Sequence, residues 1–109
     1  MLTDSQQFRQ LMWHTFASTR GGPTRIRIIR LLMERPYNSH QLCMKLGVDY
    51  RTVVHHMKIL LENQFIKLGG RKYGGMYFLT EMFENENPTF EDIVKKTGAS
   101  LKMKTLKNA

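Results

Sequence analysis

A single cysteine, Cys43, stands in this 109-residue chain. No disulfide can close within it, and a reducing cytoplasm suits it best. No apolar run reaches the roughly 18 residues of a membrane-spanning helix. The opening segment, Met1 to Gln7, has neither a cationic start nor an apolar signal core. Acid is also scarce, with nine Asp and Glu against seventeen Lys and Arg. His14, His40, His55 and His56 fall into no metal-ligand spacing with an acidic partner. No phosphate-cradling glycine motif precedes a helix, because Gly69-Gly70 and Gly74-Gly75 sit between strand-like segments. A catalytic role therefore has little to rest on. Cys43 lies where packing, and so an inert thiol, is expected.

What is present is positive charge. The net charge is +8 and the pI about 9.9, a balance that suits a polyanion: nucleic acid first, an anionic membrane surface second. The charge is segregated. Residues 81–92 hold five acidic side chains (Glu81, Glu84, Glu86, Glu91, Asp92) and no basic one, which leaves +13 on the remainder. The length fits one domain, and a hydrophobic content of 41% allows a modest core that a dimer would complete.

Helical periodicity dominates the first two thirds. Residues 4–18 read as a helix capped by Asp4 or Ser5, with Phe8, Leu11, Met12, Thr15 and Phe16 on one face. That face suits either core packing or, with Trp13 nearby, a second subunit. After Arg20-Gly21-Gly22, Pro23 opens a helix over about 23–35. Ile26, Ile29, Leu32 and Met33 line its inner side and Ile28 its flank. Arg25, Arg27, Arg30 and Arg35 are interleaved as a mostly solvated face, and Pro36 ends the helix.

The next stretch is the most informative. Asn38 caps a short helix, 39–46, with Gln41 three residues on as a capping box requires. Leu42 and Leu46 point inward. Gly47 suits a left-handed helix end, Val48 fills the corner, and Asp49 caps a helix over 50–63. Val53, Met57, Leu60 and Leu61 face its core side, leaving Tyr50, Arg51, Val54, His55 and Lys58 opposite. Two helices so closely linked make a helix-turn-helix. Phe65 to Leu68 and Met76 to Leu79 then read as two short strands around a glycine-rich tip carrying Arg71, Lys72 and Tyr73. A helix-turn-helix followed by a basic hairpin is a winged helix, a mainly α fold with a small β-hairpin (α+β). The acidic stretch reads as a loop through Asn85, Asn87 and Pro88. Thr89 then caps a last helix bearing Phe90, Ile93, Val94 and Leu101. Gly98 weakens that helix, and a frayed Lys-rich tail, 102–109, follows. The whole divides as one winged helix domain, 1–109: first helix 4–18, helix and helix-turn-helix 23–63, wing 64–80, and acidic loop, terminal helix and tail 81–109.

Gly22-Pro23-Thr24-Arg25 resembles the Asp-Pro-Thr-Arg opening found in ArsR-type winged helix repressors. Thr52-Val53-Val54-His55-His56-Met57-Lys58-Ile59-Leu60 is similar to their Thr-Val-Ser-His-His-Leu-Lys-x-Leu recognition helix. Pro36 to Leu42, Val48 to Thr52 and Tyr73 to Leu79 resemble the archaeal branch. The resemblance runs over residues 23–80. It implies a homodimeric transcriptional regulator of double-stranded DNA, with the first and last helices as the dimer contact (Phe8, Leu11, Met12, Phe16, Phe90, Ile93, Val94) and the recognition helix in the major groove. One departure matters. The family's metal sensors carry Leu-Cys-x-Cys, whereas here Lys45 replaces the second thiolate in Leu42-Cys43-Met44-Lys45. A soft metal site needs several thiolates or imidazoles, so no metal and no cofactor is expected.

In such a protein Arg51 suits either a guanine edge or a phosphate, and Thr52 and His55 suit base edges or phosphates. Val54 suits a thymine methyl or a bland, partly exposed position. Tyr50, Lys58, Arg71 and Lys72 suit phosphate, and Tyr73 suits either DNA or the hairpin itself. His56 is expected behind the helix with its ring nitrogens satisfied. A competing reading is a winged helix protein-interaction module, with acid at 81–92 docking a basic partner. A membrane-surface reading of Val94-Lys95-Lys96 and the tail has too weak an amphipathic pattern.

Overall fold

A computed structural model describes residues 2–107, apart from the side chains of Tyr73 and of residues 99–107. Leu101, the side chain of Tyr73 and the side chains of the Lys-rich tail thus lie outside the described residues. The elements run α1 (Asp4–Trp13), a π-helical turn (His14–Ser18), α2 (Gly22–Glu34), α3 (Ser39–Leu46) and α4 (Tyr50–Glu62). β1 (Ile66–Leu68), β2 (Tyr77–Leu79), α5 (Glu81–Asn85) and α6 (Asn87–Lys107) follow. This is the mainly helical winged helix-turn-helix with a two-stranded antiparallel wing that the sequence predicts.

Most local signals hold. Asn38 and Gln41 form the reciprocal capping box of α3. Gly47 ends α3 at φ 70°, and Asp49 Oδ1 accepts from the Thr52 amide at 2.7 Å to start α4. Three boundaries differ. Thr3, not Asp4 or Ser5, caps α1, because Gln6 lies at the right distance to complete a capping box with it. The acidic stretch is not a loop. Thr80 caps α5 by accepting from the Phe83 amide, and α6 begins at Asn87, so Thr89 sits inside it and donates to Glu86 at 2.8 Å. Finally, α6 runs past Gly98 to Lys107: a cost of roughly 1 kcal/mol for one glycine does not by itself stop a helix.

The core joins both ends of the chain. Phe8, Phe16, Phe65, Phe83 and Phe90 come from five different segments and pack ring on ring, with centroids 5.1–6.1 Å apart. Such pairs add to the stabilisation from burial alone. Ile28, placed on a flank from its spacing, is fully buried, because α2 is packed against the π-helical turn, α3 and β2. Met33 is only half-buried, and Leu61, expected inside, is exposed. The wing pairs Ile66 with Leu79 and Leu68 with Tyr77. Its second strand also bonds to the chain ahead of α3, Tyr77 N donating to Tyr37 O at 2.9 Å. That bond fixes the wing to the helix-turn-helix.

Candidate nucleic-acid interface

The recognition helix has a sharp division of faces. Val53, His56, Met57 and Leu60 are buried; Tyr50, Arg51, Val54, His55 and Lys58 are exposed, and Thr52 is half-buried. The six side chains predicted for DNA on this helix are therefore brought to one surface. At the wing tip, Arg71 and Lys72 occupy a 3-10 turn closed by Gly74 at φ 50° and are both exposed. Hydrogen bonds from Thr52 to the Asp49 carboxyl, with the nearby Arg51 cation, hold it below the usual carboxylate range. The helix cap thus stays charged and intact at neutral pH.

A groove of about 470 Å³ runs beside this face, with Tyr50, Val54, Met57, Leu61 and Tyr77 as its apolar walls. Ser39, Lys58 and Glu62 supply its polar groups. It lies between the recognition helix and the strand that carries the wing.

Behind α4 is a buried network that sequence reasoning missed. Arg25, taken for a solvated arginine, is 4% exposed. Its Nε donates to Thr15 O at 3.1 Å, one Nη to the Thr19 hydroxyl, and the other to His56 Nδ1 at 3.1 Å. The signal was available: Arg25, Ile28, Ile29 and Leu32 share the helical period of one face, so the spacing itself put Arg25 inside. His56 does sit behind the helix, as expected. Burial, then the Arg25 cation and His55, push its imidazole below the ordinary histidine range. The other arginines of α2 and its C-cap also find partners within the chain, Arg27 donating to Leu46 O at 3.4 Å. Arg30 forms a bidentate pair with Glu91 at 2.5 and 3.0 Å, and Arg35 stacks on Tyr37. With Arg9 bonded to Glu86 at 2.8 Å, part of the acidic segment is already neutralised by its own chain.

The terminal helices do not place the predicted dimer residues on a surface. Phe8, Met12, Phe16, Phe90 and Ile93 are buried in this chain's own core, and Val94 is half-buried. For the five buried residues the apolar period reports packing within the chain, which leaves them almost no side-chain surface for a partner. Leu11 alone of the seven is exposed; Trp13 is exposed as well, on the other flank of α1. Among the described residues no three His, Cys, Asp or Glu side chains cluster to hold a metal, and no helix is long and apolar enough to cross a membrane. Cys43 is half-buried against the core.

A helix-turn-helix with an exposed basic face, backed by a wing, is the architecture of a DNA-binding regulator. Residues 22–67 match the family model described as "Bacterial regulatory protein, arsR family". The match supports an ArsR-type helix-turn-helix regulator of transcription. It covers α2, α3, α4 and the start of β1; the wing tip and terminal helices lie outside it. No curated protein gives a significant match.

Proposed function

We propose that this chain is a sequence-specific double-stranded DNA-binding transcriptional regulator of the archaeal ArsR-like type, acting as a homodimer in the cytoplasm. Helix α4 enters the major groove, and the wing lies along the backbone or in the minor groove. The observation that carries this is the exposed stripe Tyr50, Arg51, Val54, His55 and Lys58, directed away from a buried face of the same helix. Arg51 and His55 read base edges. Tyr50, Lys58, Arg71, Lys72 and Tyr73 hold backbone, and Thr52 supports the N-terminal turn. With most of the predicted contact residues buried, the dimer contact falls on the exposed side of α1 and α6. There Trp13 is exposed, Lys96 Nζ lies 5.8 Å from its ring centroid, and a shallow groove runs past Arg9, Gln10 and Asp92.

Selection of bound duplexes from random DNA tests this reading. An enriched palindrome, bound with an affinity that falls steeply with salt, is expected. Recovery of unenriched DNA, or an affinity indifferent to salt, would remove it in favour of a protein-interaction module.

A further inference from the structure

We propose that Val54 reads the 5-methyl group of thymine, so that the operator half-site contains a thymine facing the groove beside α4. The inference rests on the DNA-binding reading and adds the base chemistry to it. Val54 is the one aliphatic side chain among the exposed residues Tyr50, Arg51, Val54, His55 and Lys58. It is 42% exposed, while its neighbour Val53 is wholly buried and does the packing. The core therefore does not need an apolar residue at position 54.

Its surroundings extend the apolar character. Tyr50 stands one turn before Val54 and Lys58 one turn after, and Met57 and Leu61 line the same groove. Against the Val54 methyls an apolar group is favoured, because a polar base edge packed on them would lose water without gaining a hydrogen bond there. The major groove offers one alkyl group, the methyl of thymine; guanine, cytosine and adenine carry none. Lys58 and Glu62 put one cation and one anion on the groove lining, so its apolar walls rather than its net charge mark it out.

Deoxyuridine differs from thymidine only by that methyl and leaves base pairing intact. The full chain is first used to select a duplex, and each thymine of that duplex is then replaced singly by deoxyuridine. With the wild-type protein, at least one replacement is expected to weaken binding about fourfold, the worth of one methyl group withdrawn from water. Val54→Ser, a change on an exposed position, is expected to bind the thymine and uracil duplexes equally. If no replacement costs more than about twofold while duplex binding persists, Val54 does not read a methyl and DNA binding still stands. A loss that survives in Val54→Ser assigns the methyl to another residue. A selected duplex without thymine in its half-site overturns the inference. Failure to enrich any duplex removes the DNA-binding reading itself.

Discussion

Arg25 Nη1 lies 3.1 Å from Nδ1 of His56, a bond that ties the first turns of α2 to the back of the recognition helix. A guanidinium is always protonated and has no acceptor. His56 Nδ1 must therefore be the unprotonated nitrogen, which fixes the ring as neutral with its proton on Nε2. The same guanidinium binds Thr15 O and the Thr19 hydroxyl, so one buried side chain links the π-helical turn, α2 and α4. His55, on the exposed side, packs edge-on against His56. The packing of α4 against the start of α2 thus depends on a group that cannot be protonated without breaking its bond to Arg25.

A pH dependence follows. The folded-state pKa of His56 lies below its unfolded value, because burial first, and then Arg25 and His55, disfavour the charged ring. The unfolded chain therefore binds a proton more readily. The contribution is fully present above the unfolded value, about 6.5, and is lost as pH falls from there through the depressed folded value. Urea midpoints should decline below about pH 6.5. In His56→Gln, which keeps an acceptor for Arg25 without titrating, the decline should be shallower. Identical pH profiles for the two proteins would show that His56 does not carry the linkage.

The glycine pair at the start of α2 is required by the same packing. A Cβ on Gly22 would run into the backbone carbonyl of Phe16, and one on Gly21 would lie 2.5 Å from Arg25 Nη1 and 2.8 Å from His56 Cε1. Side chains yield more readily than backbone. Gly22→Ala should therefore destabilise more than Gly21→Ala, by about 2–3 kcal/mol, the upper range for overpacking. Thermal or urea unfolding of the two variants gives the order; a reversed order would mean that the π-helical turn, not the side-chain network, is the softer element.

Much of this fold was legible in the residues. Caps with their own chemistry, such as Asn38 with Gln41 and Asp49 with Thr52, act within one turn, so sequence spacing specifies them. The exposed face of α4 was legible for the same reason, because a helix turns its residues at a fixed angle. What failed was the assignment of apolar faces to partners. Spacing says that Phe8, Met12, Phe16, Phe90 and Ile93 are buried, but not by what. The aromatic cluster that buries them also takes Phe65 and Phe83, distant in sequence. Arg25 failed differently: its charge argued for solvent and its period for the interior, and three hydrogen bonds let the period win.

The recognition helix and the wing should separate in their effects on DNA. Arg51 is exposed at the N-terminal turn of α4, the part of the helix proposed to meet base edges. Arg51→Ala should relax preference at one position of each half-site by about 1–3 kcal/mol. Replacing Arg71 and Lys72 together should weaken all duplexes alike and lower the slope of log affinity against log salt by about 2, the value for two lost phosphate contacts. A wing change that shifted the preferred sequence, with the salt slope unaltered, would reverse the two roles.

Self-association can be separated from folding within α1 and the π-helical turn that continues it. Trp13 is exposed, whereas Phe16, three residues on, is 1% exposed and in contact with Phe65, Phe83 and Phe90. If the outer side of α1 is the dimer contact, Trp13→Ala removes an aromatic anchor. It should weaken the dimer by about 2 kcal/mol, roughly thirtyfold, with little effect on the unfolding midpoint of the monomer. Phe16→Ala empties part of the aromatic cluster and should cost about 3–5 kcal/mol of stability. Light scattering across a dilution series, paired with urea unfolding, reads both quantities. A wild-type mass that stays monomeric would abolish the dimer. A dimer untouched by Trp13→Ala would move its contact away from the outer side of α1.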